Sequence, residues 1–269
     1  MERTSHLQHP TTEKNLSGWI NGFIGVVIFS ASLPATKVAV LEFDPVFLTL
    51  ARASIAGVLA LAMLGLFKAR RPQRNQLVPL LLVATGVVVG FPLLTALALQ
   101  HVTSAHTIVF LGLLPLSTAA FAVVRGGERP RPAFWLFSIL GSACVVAYAL
   151  AQGLSAAPEG DILMLLAVLI CGLGYAEGAR LSRTLGGWQV ISWALVLSLP
   201  LMAPLAWLWA PASFKGISAP AWLGLAYISI FSMLIGFVFW YRGLAQGGIA
   251  AVGQLMQEEQ MKQQRQMEM

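Results

Sequence analysis

A chain of 269 residues with 57% apolar residues and only 10% Asp, Glu, Lys or Arg carries far less charge than the roughly 25% of a soluble domain. A water-solvated globule is excluded, and a membrane protein is expected. The formal charge of +6 needs no nucleic-acid partner, because the basic residues sit in short connections between apolar blocks.

Each apolar block runs to about 20 residues, the length a helix needs to cross a hydrocarbon core of ~30 Å. With lipid as solvent, backbone groups must bond within helices, so the expected fold is all-α, a polytopic transmembrane helical bundle. Residues 1–17 form a polar lead-in, and spans follow at 18–41, 46–67, 77–100, 103–124, 134–153, 161–182, 188–210 and 220–241. A ninth begins at Gly247 and holds only "GGIAAVGQL" before a polar tail, 256–269, with five charges in fourteen residues. Each charge near a bilayer centre costs about 2.5–3.5 kcal/mol on insertion scales, so the tail cannot cross. A polar helix extending into the cytoplasm is expected there.

Connections after the second, fourth, sixth and eighth spans, with the lead-in, hold twelve Lys and Arg residues, against Lys215 alone on the other face. Basic connections favour the cytoplasm, which places the N-terminus inside. Cys144 and Cys171 lie in apolar blocks without a CxxC partner and read as packing residues, not as metal ligands. No phosphate-binding glycine loop, H-E-x-x-H or G-x-S-x-G motif is present, so no catalytic residue, cofactor or metal is assigned.

Five spans precede "GDILMLLAVLICGLGYAEGARLS", and five is odd, so a second copy of the unit must enter the bilayer from the opposite side. "ALALQHVTSA" at 96–105 compares with "RGLAQGGIAA" at 242–251 just ahead of the fourth and ninth spans. These features predict inverted five-helix repeats at 18–153 and 160–255.

Motifs in the same order resemble those of a known family. "FSASLPATKVAV" carries Phe29 and Lys37, "DPVFLTLAR" carries Pro45 and Arg52, and "LLPLSTAAFAVVRGGERP" carries Pro115, Gly127 and Glu128. Together with "FVFWYRGLAQGGIAAVGQL" they resemble the EamA branch of the drug/metabolite transporter superfamily. The resemblance implies a ten-helix exporter or exchanger of small metabolites, amino-acid-like solutes foremost, in the bacterial inner membrane. Pro45, Pro115, Gly127 and Glu128 are then structural motif residues. The family pattern continues through a further proline, a second G-E turn and a tenth span. Here it gives way to the tail, which implies eight full spans, a partial ninth and an incomplete second repeat. A non-transporting fragment, or a remnant completed by homodimerisation, is the alternative.

Five residues are candidates for substrate binding. Lys37 and Arg52 lie a turn or two from the outer face, where they either snorkel to the interface or draw an anionic group such as a carboxylate. Glu177 either pairs with Arg180 one turn on or titrates as a desolvated carboxyl. His106 either bonds a neighbouring helix or exchanges protons. Gln254 faces the midplane if the ninth span is whole. Gly172, Gly174 and Gly178 are expected to permit close helix packing, and Pro34, Pro92 and Pro115 to kink their helices. Trp188, Trp193, Trp207, Trp209, Trp222, Trp240 and Tyr241 read as interfacial anchors.

Overall fold

The structure, a computed structural model, describes residues 10–98, 101–151 and 157–255. The tail and the first nine residues lie outside this range. Seven helical stretches among the described residues are long and apolar enough to cross a membrane, and an eighth, Pro132–Cys144, is apolar but shorter.

In chain order, the first span is α1 (Pro10–Ser30) followed by α2 (Ser32–Val40), and the second is α3 (Pro45–Leu66). The third comprises α4 (Arg74–Val83), a π-helical stretch at Ala84–Gly90 and α5 (Phe91–Ala98). The fourth is split into α6 (Ser104–Leu111) and α7 (Leu114–Gly126), and α8 (Pro132–Ala151) is the fifth. Then come α9 (Pro158–Leu185) and α10 (Gly187–Leu208). The eighth joins α11 (Ala219–Tyr227), a π-helical stretch at Ile228–Gly236 and α12 (Phe237–Gly247). Last is the short α13 (Ile249–Gly253). Helix α1 begins at Pro10, so part of the expected polar lead-in is already helical.

Three of the breaks have a common cause. A proline ring clashes with the carbonyl four residues earlier, and Pro34, Pro92 and Pro115 point back to Ser30, Val88 and Leu111. Those positions are the end of α1, the interior of the first π-helical stretch and the end of α6. Where the fourth span is broken, Ser142 Oγ of α8 donates to the Gly112 carbonyl at 3.3 Å, re-satisfying backbone in the way a bilayer interior demands. Pro200 and Pro204 lie within α10 without a break.

Small residues set which helices touch. A Cβ built at Gly18 would sit 2.2 Å from the Gly247 backbone nitrogen, so α1 runs against α12 at backbone contact. Gly86 meets the Ile170 carbonyl at 2.4 Å in the same sense, which seats the third span on α9, while Gly57 seats α3 on α10 through Leu199. The first span therefore pairs with the eighth, the sixth with the third, and the second with the seventh. Large apolar side chains such as Leu61, Leu140, Leu165, Leu208 and Leu223 remain exposed on the outside of the bundle, where lipid is the solvent.

Gly178 illustrates the close packing. A Cβ there would lie 2.1 Å from Tyr241 Cε1. Gly178→Leu is expected to cost at least about 1–3 kcal/mol by overpacking. Thermal unfolding of the purified variant checks this, and Tyr241→Ala in the same chain is expected to restore much of the loss.

Of the aromatic residues read as anchors, Trp188 and Trp193 are half-buried, with Trp193 Nε1 itself buried, and the others divide into two kinds. Trp207, Trp209 and Trp222 are exposed, as interfacial anchors should be, at the acidic end of the bundle, the one that holds Glu42, Asp44, Glu159 and Asp161 and lies opposite the basic end with its Lys- and Arg-rich connections. Trp240 and Tyr241 are not anchors: both are fully buried. The Tyr241 ring lies over Gly178 of α9, and Trp240 packs edge-on against Tyr175 of α9 with centroids 5.6 Å apart.

At the acidic end, Asp44 caps α3 by accepting from the backbone N–H groups of Val46 and Phe47 at 2.9 and 3.0 Å, with Pro45 opening the helix. Nearby, Glu42 accepts from the Ser218 hydroxyl and, at 2.6 Å, from the Ser218 backbone N–H. The hydroxyl first, and then the backbone bond, hold the Glu42 carboxyl below its ordinary 4.5. This clasp is complete above that value and is lost as pH falls through the depressed one. Ser218→Ala is expected to return the Glu42 titration upward, as followed by carbon NMR of the labelled carboxyl.

Candidate functional site

Arg52 stands two turns into α3, fixed in depth by the cap at Asp44 and Pro45. Its Nε is buried without a hydrogen-bond partner, and among the described residues the guanidinium makes no ion pair. Five further polar atoms are buried without partners among the described residues: Thr95 Oγ1 on α5, Arg180 Nε on α9, Ser192 Oγ and Trp193 Nε1 on α10, and Trp240 Nε1 on α12. The helices involved, α3, α5, α9, α10 and α12, come from the second, third, sixth, seventh and eighth spans. Unmet donors are expensive in a low-dielectric interior, so their presence in the bundle marks places where a polar solute gains the most by arriving.

Lys37 lies in the last turn of α2 and is exposed, with no ion pair among the described residues. The two basic candidates therefore differ: Arg52 is drawn into the bundle and Lys37 stays on its surface.

Glu177 is fully buried on α9, where it accepts from Arg180 Nη2 at 2.8 Å and from Arg125 Nε on α7. The pairing with Arg180 follows from helical spacing. The reach of Arg125 across from the fourth span does not. Glu128 follows Gly127, whose φ of +67° ends α7 in the left-handed conformation. The turn directs the Glu128 carboxylate at the start of α13, where Oε1 accepts from Ile249 N–H at 2.7 Å and Oε2 from Ala250 N–H at 2.9 Å. Arg183 Nη2 adds a contact to Oε1 at 3.2 Å.

At the opposite end, His106 Nε2 and Asp161 Oδ1 are 2.5 Å apart, joining α6 to the first turn of α9. His101 Nδ1 lies 3.3 Å from Glu159 beside them. Gln254 Nε2 donates to Ser138 Oγ of α8 at 3.3 Å. Pro115 opens α7 after the break in the fourth span.

The structure thus gives Glu177 and Glu128 separate ion pairs, with Arg125 and Arg180 and with Arg183, at the basic end, and keeps Arg52, Lys37, His106 and Gln254 in other places. Sequence reasoning missed Arg125, Arg183 and Asp161 as partners. His106–Asp161, Arg125–Glu177 and Glu128–Arg183 are separated by 55, 52 and 55 residues. A near-constant offset is the mark of two helices running parallel side by side, here α6–α7 beside α9. Nothing in the sequence announces that register.

Comparison with known proteins agrees with this architecture. The sequence profile of the EamA-like transporter family matches residues 16–149 and again 158–257. The chain is 68% identical to "Uncharacterized transporter YdeK" of Bacillus subtilis (strain 168) over 242 residues, covering 90% of this chain and 84% of that protein. It is 26% identical over 218 residues to "Uncharacterized inner membrane transporter YedA" of Escherichia coli (strain K12), covering 78% of this chain and 68% of that protein. A solved crystal structure superposes with a TM-score of 0.74 at 22% identity, over 91% of this chain and 86% of the other, and so shares its fold. Matched by the family profile in both halves, and by a 68% identical relative over nine-tenths of its length, this multi-pass membrane protein belongs to the EamA-like transporter family.

Proposed function

We propose that this protein carries small organic solutes bearing a carboxylate, amino-acid-like ones foremost, across the bacterial inner membrane by alternating access, in the outward direction. The observation that carries the reading is Arg52: a guanidinium drawn into a membrane bundle without an acidic partner among the described residues. Burying a charge within a membrane bundle is costly, and intramembrane ionisable residues mark substrate or ion pathways. The planar fork of arginine fits a carboxylate with two parallel hydrogen bonds, which sets the substrate class.

Alternating access is supported by helix pairing. First with eighth, sixth with third, and second with seventh is the pattern that two inverted five-span units, 18–153 and 160–255, produce about an axis in the membrane plane. The π-helical stretches fall in the third and eighth spans, the same place in each unit. Such stretches concentrate at functional sites and offer a yielding segment within each helix. The excess of Lys and Arg at one end supports a cytoplasmic position for that end and for the N-terminus. The inner membrane is the one named for the relative YedA.

The test is thermal unfolding of the purified protein with a panel of amino acids and small carboxylic acids, each beside its amide. A ligand at about 100 times its Kd adds about 2.7 kcal/mol of stability. At least one carboxylate is expected to raise Tm by several degrees while its amide does not. Equal shifts from acid and amide, or no shift from any member, would remove the carboxylate assignment.

A further inference from the structure

We propose that Glu128 is a gating latch: it holds the basic end of the bundle closed by gripping the corner where the eighth span turns into α13, and it lets go once in each transport cycle. This rests on the alternating-access reading above and names the residue that governs one of its two states.

The argument starts from which helices each acid ties together. Glu177 bonds Arg180 on its own helix and Arg125 on α7, and α7 lies along α9. His106 and Asp161 pin α6 to α9 at the other end. The fourth and sixth spans are therefore fastened to each other at both ends and move as one body. The first and eighth spans form a second body, joined at backbone contact through Gly18, Gly22, Gly243 and Gly247.

Among the described residues, Glu128 is the charged side chain that bridges these bodies. It extends from the end of α7, and its two oxygens take the N–H groups of Ile249 and Ala250, directly after the α12–α13 corner. Gly248, with φ at +94°, makes the corner that presents those two donors. Donor and acceptor are thus each delivered by a glycine turn.

Location makes the contact reversible. Glu177 is sealed from water, so its charge cannot leave its arginines. The Glu128 side chain is 18% exposed and that of Arg183 is 41% exposed, so water can take over their hydrogen bonds when the bodies part. The neighbouring contact between the bodies, the Tyr241 ring over Gly178 with its hydroxyl 3.4 Å from the Gly174 carbonyl, is a smooth face that can separate without stranding a charge. Opening therefore requires the Glu128 grip to break, together with the apolar seat of Ile249 and Gly253 against Gly126 and Thr118 of α7, and Glu128 is the charged member of that contact among the described residues.

Double electron–electron resonance in lipid nanodiscs tests this on the full chain with Cys144 and Cys171 replaced by alanine. One spin-label pair, at Arg131 and Arg242, reads the basic end; a second, at Leu41 and Ile162, reads the acidic end. All four positions are exposed. Glu128→Ala is expected to raise the long-distance population at the basic end at least about tenfold over the parent and to shorten the acidic-end distances in step. Glu128→Gln, which keeps volume and one acceptor but loses the charge, is expected to fall between. Distributions matching the parent in both variants would overturn the latch while leaving alternating access intact, and so would failure of both variants to fold, because the contact would then hold the fold and not a state. A longer basic end with an unchanged acidic end would keep the latch and refute alternating access.

Discussion

Arg52→Gln is expected to have two effects of opposite sign. Without ligand the variant should unfold at a temperature no lower than the parent, because a charge without a partner has been removed from a membrane interior. With the carboxylate that stabilises the parent, its response should vanish. Transport of that solute should fall roughly 10- to 100-fold, since a hydrogen bond to a charged group is worth about 1.5–3 kcal/mol and each 1.4 kcal/mol is a factor of ten. Arg52→Lys should restore the charge but not the fork, and so recover only part of the affinity. A purely structural arginine would behave differently: its loss would lower the ligand-free Tm and leave the carboxylate-over-amide preference unchanged.

Glu177→Ala is expected to be among the most damaging substitutions for stability. The carboxylate is fully buried and serves two arginines, one from another helix. Removing one partner of a buried ion pair costs about 3–5 kcal/mol when the remaining charge stays buried. Here each arginine side chain is 41% exposed and can turn toward water, which places the cost nearer the lower end. Arg125→Ala should cost less, because Arg180 continues to hold the carboxylate. Unfolding temperatures of the two variants, with the double variant to measure coupling, decide the ordering. If Arg125→Ala proved as damaging as Glu177→Ala, the interhelical bond and not the buried charge would be the dominant interaction.

The spans were legible because a membrane imposes a length on apolar runs. The helix breaks near Ser30, Val88 and Leu111 were legible too, because proline acts on its own helix four residues back. The π-helical stretch at Ile228–Gly236 contains no proline, and no local signal marks it. Trp240 and Tyr241 were misread because proximity to a span end says nothing about which side of the helix faces lipid. That side is set by the glycines of α9, far away in sequence.

The candidate site shows the same division. Glu177–Arg180 follows from three-residue spacing, while Arg125–Glu177 and Glu128–Arg183 depend on the register of α7 beside α9. The G-E pair at 127–128 was visible as a motif, but its partner is the backbone of α13, and backbone N–H groups leave no trace in a sequence. Arg52 stood out from the start because a charge inside an apolar block is rare. Only the packed bundle shows that Glu42 and Asp44, the acids nearest in sequence, are committed to Ser218 and to the α3 cap.

The most direct measurement is counterflow in proteoliposomes, using the radiolabelled carboxylate that most stabilises the purified protein. Saturable exchange by the parent, competed by the carboxylate but not by its amide and lost in Arg52→Gln, is the predicted result. Exchange that survives in Arg52→Gln at the parent's rate, or that the amide competes equally, would contradict the account.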